Sequence, residues 1–243
     1  MNRKIVATDA TTVTVSGKQN YIRNFSMGDT AVYHAKDSKS LPALEKLPFL
    51  RKFSGILLHD HETALYHFGT GHAECNIHII RYLRKNTEET GNGWPGEMTR
   101  LLCGMNKEGK ELISRGTHSF PSETIKHYEG QYGRLIQKGR GKNRETQHRY
   151  AGQEEQALLN RMEKYSANHL LFLHDFDVPF DDNISERDLR KAKNSQKMAG
   201  GFRKESRNEM YCAILTVIET LKKRKMGTIE NLRELFLGTL AIF

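Results

Sequence analysis

The chain has 243 residues, 37% of them hydrophobic and only 5 of them proline, enough for one large domain or two small ones with a real core. Thirty-eight Lys and Arg stand against 29 Asp and Glu, a formal net charge of +9 that favours a polyanionic partner, nucleic acid first, because each phosphate contact releases counterions. No run approaches the roughly 18 apolar residues of a membrane span, and the start "MNRKIVATDATT" lacks the apolar core of a secretory signal. Three scattered cysteines, Cys75, Cys103 and Cys212, do not read as a disulfide framework, so the expectation is a reduced, cytoplasmic protein that does not engage a membrane.

In chain order, "KIVATD", "TTVTVSG" and "QNYIRNFS" read as a three-strand meander turned by Ser16-Gly17-Lys18. After the polar stretch "HAKDSKSLPALEKLP", the apolar run "FSGILLH" has the length of a buried strand and ends in Asp60. From Cys75 the period becomes helical: Ile77, Ile80 and Leu83 repeat, then Met98, Leu101, Leu102, Met105 and Leu112. The basic, glycine-containing "IQKGRGKNRETQHRYAGQ" predicts a loop. "EEQALLNRMEKYSANHLLFLHDF" predicts one helix, with Leu158, Leu159, Met162, Tyr165 and Leu173 on its apolar face, before Pro179 interrupts. Met210, Ile214, Val217, Ile218 and Leu221 form one stripe, and Ile229, Leu232 and Phe236 another, both expected to pack. No internal repeat occurs. The order predicts an α/β fold, a mixed sheet flanked by helices, interrupted by a helical insertion.

Three acids occupy places where chemistry would need them. Asp9 ends the first strand, Asp60 ends the later buried strand, and Glu186 lies on the first turn of a helix announced by Asn183. If the two strands pair side by side, the aspartates share one edge of the sheet and a helix packed there can bring Glu186 to them. Converging carboxylates repel, so such a cluster calls for divalent cations with hard-ligand preference, Mg²⁺ or Mn²⁺. Two ions about 3.5–4 Å apart would clamp the attacking and leaving oxygens of a displacement at phosphorus. Each acid also has a plainer reading. Glu186 three residues after Asn183 fits a capping box, Asp181 and Asp182 fit turn residues leading into the helix, and Asp9 and Asp60 fit solvated strand ends.

The phrase "PFDDNISERDLRKAKNSQKMAGGFR", with "ILTVIETLKKRK" downstream, resembles the C-terminal signature of the DDE transposases of the insertion-sequence-sixty-six family. "GILLHDHETALYHFGTGHAECNIHIIRYLR" is similar to the same family's strand ending His-Asp-His and its Cys-x-x-His-x-x-Arg-x-Leu helix, and "KIVATDATTVTVSGKQNYIRNFS" to its first strands. The resemblance implies a ribonuclease H-like fold with an α-helical insertion before the last catalytic helix. The first part of the core falls at 1–90, the insertion at 91–174 and the second part at 175–243. It implies a catalytic and metal-binding triad of Asp9, Asp60 and Glu186 with two Mg²⁺ or Mn²⁺ ions. The activity implied is hydrolysis at transposon ends and attack of the freed 3′-hydroxyls on target DNA, with double-stranded DNA as partner, a nucleoid-associated bacterial location, and homodimer formation left open. Family members carry DNA-end-binding elements ahead of this region, so the chain is expected to be a catalytic fragment, a split product or a decayed copy. It departs from the pattern in having Asp182 where Asn is common, and "TDATT" where an acid often follows the first Asp.

Past Glu186, the residues Arg187, Arg190, Lys191, Lys193, Lys197 and Arg203 are expected to grip DNA phosphates, against the plainer reading of a solvated helix face. Gly200 and Gly201 would let backbone approach a phosphate. "KGRGKNR" (Lys138 to Arg144) reads equally as a DNA-facing loop or a connector. Cys75-x-x-His78 is half of a zinc site, with His59, His61, His67 and His72 nearby in sequence but no second paired motif, so a buried Cys and a bonded His are expected instead. Two rivals remain: a ribonuclease H-like nuclease without strand transfer, and a DNA-binding remnant without catalysis.

Overall fold

A computed structural model describes residues 5–239. Lys4, at the start of the expected first strand, lies outside the described residues. The segment "IVATDATTVTV" forms one long strand, β1 (Ile5–Val15), rather than two short ones, because it is rich in β-branched residues and holds no turn former. Ser16 and Gly17 both take positive φ, 52° and 75°, the pairing a two-residue hairpin turn requires. They deliver the chain into β2 (Lys18–Ser26), antiparallel to β1 from Ala7↔Ser26 to Val15↔Lys18. A strand not expected from the sequence, β3 (Ala31–Lys36), pairs antiparallel with β2. The apolar run becomes β4 (Ile56–His59), parallel to β1 in the register Ile5↔Ile56, Val6↔Leu57, Ala7↔Leu58. With β5 (Gly71–Glu74), also unexpected, the sheet order is β3-β2-β1-β4-β5. A mixed five-stranded sheet in this order, with helices around it, is compatible with a ribonuclease H-like fold.

The helices are α1 (Leu41–Glu45), α2 (Pro48–Lys52), α3 (Asn76–Thr90), α4 (Trp94–Ser114), α5 (Ser122–Asn143), α6 (Arg149–Lys164), α7 (Ser166–His169), α8 (Leu171–His174), α9 (Asn183–Ala199), α10 (Glu205–Lys223) and α11 (Thr228–Phe236). They fall into two compact units, one made of the residues up to His72 together with those from Asp182 onward, the other of Ala73–Asp181.

In the first unit the sheet is covered on both faces. Val6, Phe25, Met27 and Leu57 pack with Leu44, Leu47, Leu50, Phe53, Leu65 and Phe68. Alternation sends Val13, Val15, Ile22 and Tyr33 to the opposite face, against Leu189 and Ala192 of α9 and Cys212 and Leu215 of α10. The apolar stripe expected on α10 is only partly the side it buries. Leu221 is fully buried and Val217 and Ile218 partly so, but Met210 and Ile214 are half exposed, while Asn208, Cys212, Thr216, Glu219 and Thr220 are buried. The reason is the sheet edge: β3 has amides to satisfy, and the amides of Tyr33 and Ala31 donate to the hydroxyls of Thr216 (2.9 Å) and Thr220 (3.2 Å), while Thr220 donates back to the carbonyl of Ala31 (3.1 Å). The stripe on α11 is likewise not a packing face, since Ile229 and Phe236 are among the most exposed apolar side chains.

The second unit is helical apart from the end of β5. Trp94, Met98, Leu102 and Met105 of α4, Tyr132 and Ile136 of α5, and Leu159 and Met162 of α6 form its core. The loop expected over "IQKGRGKNRETQHRYAGQ" shrinks to residues 144–148, because α5 runs through "KGRGKN". Gly139 there is a packing residue rather than a breaker: a Cβ would fall 2.6 Å from Leu159 and 2.9 Å from Trp94. The single helix expected over 154–176 is three, α6, α7 and α8. The carboxylate of Glu155, fully buried, accepts from Trp94 Nε1 (2.6 Å), Asn92 Nδ2 (2.8 Å), Asn143 Nδ2 (3.0 Å) and Thr146 Oγ1 (3.2 Å), which tethers α4, α5 and α6 together. Among the described residues, no helix is long and apolar enough to cross a membrane.

Candidate active site

The β1–β4 register ends at Ala7↔Leu58, and two residues further along each chain come Asp9 and Asp60. Alternation along β1 gives Asp9 the face of Ala7, while Asp60 directly follows His59, the last residue of β4. Both residues are partly exposed. Asp9 is fixed by its own backbone: its amide donates to Asn24 Oδ1 (3.1 Å), and its Oδ1 accepts from the amide of Ala10 (2.6 Å). The chain beyond Asp60 is bent by His61, a non-glycine residue with φ of 40°. Glu62 then accepts two bonds from Nη2 of the buried Arg23 (2.5 and 2.6 Å), whose Nη1 donates to Thr8 (3.1 Å). This ion pair anchors the strained turn that carries Asp60.

Helix α9 lies on the Asp9 face of the sheet. The capping box expected from Asn183 does not form. The helix starts at Asn183 with Asp182 in the cap position, so Glu186 is its fourth residue, and its amide donates to the Asp182 carbonyl (3.1 Å). The start is displaced because Asp182 and Ser185 are both buried, and Ser185 is bonded to Asn24 through its hydroxyl (2.8 Å) and its carbonyl (3.0 Å). Glu186 is partly exposed. Asp182, taken above as a turn residue, also belongs to the acidic neighbourhood. Burial raises its carboxyl well above the usual range, the charges of Asp9 and then Glu186 raise it further, and the amide and hydroxyl of Ser185 pull partly the other way.

Such a donor set fits a hard divalent cation: oxygen ligands only, with negative charge gathered from a strand end and a helix start. Among the described residues, however, no three His, Cys, Asp or Glu side chains stand close enough to hold an ion in this arrangement.

The cations of α9 are on its outer side. Arg187, Arg190, Lys191, Lys193 and Lys197 are exposed, as is Arg203 beyond the helix. Glu186, Arg190, Lys193 and Lys197 recur at helical spacing and form one stripe, whereas Lys191 faces α10 and is ion-paired with Glu219. By sequence, the unit with both aspartates and α9 holds 22 Lys and Arg against 14 acids, and the helical unit 16 against 15, so nearly all the basic excess lies in the former.

The family description Transposase IS66 family matches residues 1–210, most of the chain. The chain belongs to that family. A transposase works on DNA, which makes the chain a protein of DNA transposition and DNA its partner. Comparison with curated proteins and with solved structures returned no match.

Several residues have duties in this transposase other than those their sequence pattern promised. Gly200 ends α9 in the left-handed conformation (φ 69°), and Gly201 lets the chain reach β1, where a Cβ would meet the Thr14 carbonyl at 2.7 Å. Phe202 then bonds across to Thr14 and Ser16 (2.8 Å each). Both glycines thus serve the fold. Lys138 to Asn143 of "KGRGKNR" are helical. Cys75 is buried at the head of α3, and His78 Nε2 is bonded with Arg81 (3.1 Å), in line with the structural reading of that pair. Sequence reasoning missed Asn24, Ser26, Ser185 and Asp188, all buried beside Asp9 and the start of α9. The signal was there in Asn24 and Ser26, two polar residues at alternate positions of a strand, on the face that also carries Ile22.

Proposed function

We propose that the first unit is the catalytic core of a DDE-type transposase, ribonuclease H-like in fold, with Ala73–Asp181 as a helical insertion between the second and third catalytic acids. The observation that supports this reading is the parallel β1–β4 register, which ends at Ala7↔Leu58, two residues short of Asp9 and Asp60, with α9 packed on the Asp9 face of the sheet. Asp9, Asp60 and Glu186 are the residues that would hold two Mg²⁺ or Mn²⁺ ions. When bound, the ions would activate the attacking oxygen and offset charge on the leaving one.

The chain's own residues do the rest. Asp9, on β1, and Asp60, just past the end of β4, would form one side of the site, and Glu186 would join from a helix whose start is itself pinned to the sheet. Arg190, Lys193 and Lys197 continue the Glu186 stripe and would hold the backbone of bound DNA on both sides of the cut, with Arg187 and Arg203 flanking them. Lys191 supports α10 through Glu219 and contributes less. In the first step water attacks a phosphodiester at the element's end, and the P–O3′ bond breaks to leave a 3′-hydroxyl. In the second, that hydroxyl attacks a target phosphodiester and displaces its 3′-oxygen.

The test is Mn²⁺-dependent nicking and joining of labelled DNA by the chain and by D9N, D60N and E186Q. The expected result is loss of both products in all three variants. Nicking by E186Q equal to that of the unaltered chain would remove Glu186 from the mechanism, and nicking without joining would favour a nuclease.

A further inference from the structure

Asn24 is fully buried and sits directly opposite Asp9 in the β1–β2 register. Its side chain makes four hydrogen bonds. Oδ1 accepts from the Asp9 amide (3.1 Å) and the Ser185 hydroxyl (2.8 Å), and Nδ2 donates to Ser26 Oγ (2.9 Å) and the Ser185 carbonyl (3.0 Å). Both amide protons and two acceptor sites are therefore used, which leaves one orientation of the amide that satisfies every partner. The network continues outward: Ser26 Oγ donates to Asp188 Oδ2 (2.7 Å), and Lys223 of α10 pairs with the same oxygen (2.9 Å).

One side chain thus bonds the backbone of one candidate acid and both the hydroxyl and the carbonyl of the residue before the other. The apolar contacts of Leu189 and Ala192 also dock α9, but they are non-directional and would tolerate a shift of the helix along or about its axis. A slip of one residue turns a helix by about 100° and would swing Glu186 away from Asp9. Buried, fully satisfied hydrogen bonds penalise that slip, because every displaced partner is left without water to replace it.

We propose that Asn24 is a positioning residue that fixes the start of α9, and with it Glu186, relative to Asp9, so that a bound cation has less rearrangement to impose in drawing the acids together. This rests on the reading of Asp9 and Glu186 as the metal-holding pair. The experiment titrates Mn²⁺ into the full chain and into N24A, N24S, S185A and D9N, following free Mn²⁺ by electron paramagnetic resonance, with circular dichroism as the check of folding and nicking of labelled DNA in parallel. Loss of partners behind metal ligands commonly weakens metal affinity or activity 10–100-fold. N24A is expected to bind Mn²⁺ about tenfold or more weakly, S185A less severely, and N24A/S185A no more weakly than N24A, because the two side chains act through one joint. Nicking by N24A should recover in part at high Mn²⁺.

A purely structural Asn24 would lower the unfolding midpoint and leave the Mn²⁺ titration of the folded fraction unmoved, and that result overturns the proposal. Should N24A fail to fold, N24S and S185A carry the same comparison. If D9N binds Mn²⁺ as the unaltered chain does, the reading of the site falls. If D9N loses binding while N24S and S185A keep it unchanged, the site stands and the positioning role is refuted.

Discussion

Gly139 and Gly141 lie two residues apart on α5 and should respond to alanine with opposite signs. Alanine in place of glycine in a helix gains about 1 kcal/mol of backbone preference. At Gly141 nothing lies within 4 Å of a new Cβ, so G141A should stabilise by about 0.5–1 kcal/mol. At Gly139 the new carbon would meet Leu159 at 2.6 Å and two ring atoms of Trp94 at 2.9 and 3.0 Å. Leu159 can rotate, but the indole is fully buried, with Nε1 bonded to Glu155 at 2.6 Å, and cannot retreat without breaking that bond. Overpacking of this kind costs about 1–3 kcal/mol, which outweighs the helical gain, so G139A should destabilise by about 1–2 kcal/mol. Trp94 is the sole tryptophan, so its fluorescence during urea unfolding reports this unit alone. The expected result is a lower midpoint for G139A and a higher one for G141A, at unchanged slope. A midpoint for G139A at or above that of G141A would show that the close contact with Trp94 does not exist.

Four further outcomes follow from the same structure. His34 is partly buried, with an inaccessible Nε2 that has no hydrogen-bond partner, and desolvation, aided by Lys36, lowers its pKa to about 4. The unfolded chain therefore takes up the proton first, so stability should fall as pH drops from about 6.5 toward 4, by up to roughly 3 kcal/mol, and H34F should flatten that slope in denaturant titrations. Asp182 has the opposite sign: its folded carboxyl holds its proton to higher pH than the unfolded one, so stability is lost as pH rises, and D182N should gain more over the unaltered chain at pH 7 than at pH 4 in chelator-treated samples. T220V, which leaves the amide and carbonyl of Ala31 without partners, should cost about 1–3 kcal/mol, whereas I214A on the exposed side of α10 should stay within about 0.5 kcal/mol; comparable losses would contradict the edge-covering role of α10. K193A and K197A should each reduce the salt dependence of DNA affinity by about one phosphate contact, measured by fluorescence anisotropy across ionic strength, with K191A weaker than either.

What could be read from the sequence follows from where the information is local. β4 was legible because three apolar residues and a histidine bounded by Gly55 and Asp60 leave few alternatives, and the Ser16-Gly17 turn because the left-handed conformation selects its residues. β3 and β5 were not, since "AVYHAK" and "GHAE" become strands only by pairing with a partner that the local pattern does not name. The α10 error has a physical source as well. Hydrophobic period identifies the buried side of a helix that packs on apolar side chains, but α10 lies over β3, the strand at one end of the sheet order, whose need is for hydrogen bonds, and threonines meet that need better than isoleucine. The glycines of α5 failed the same way: a breaker and a close contact look alike in one dimension.

The three acids were legible as residues but not as a site, and the difference lies in the groups between them. Asp9 and Asp60 each lie two residues beyond the last pair of the parallel β1–β4 register, Ala7↔Leu58, so backbone pairing governs their approach more than any side chain does. Glu186 has no such constraint. Its place depends on the azimuth of α9, which apolar packing leaves loose and which Asn24, Ser185 and the Ser26–Asp188 pair make specific. Sequence patterns describe which face of an element is apolar, to within the width of that face, and a stripe about 100° wide is too broad to aim a carboxylate. The aim has to come from directional bonds, and these were placed in positions a period-based reading assigns to core. The helix start moved by one residue, from the expected Asn183 cap to Asp182, for the same reason. A chain that bonds both the hydroxyl and the carbonyl of Ser185 to Asn24 of the sheet has already constrained where its next residue points.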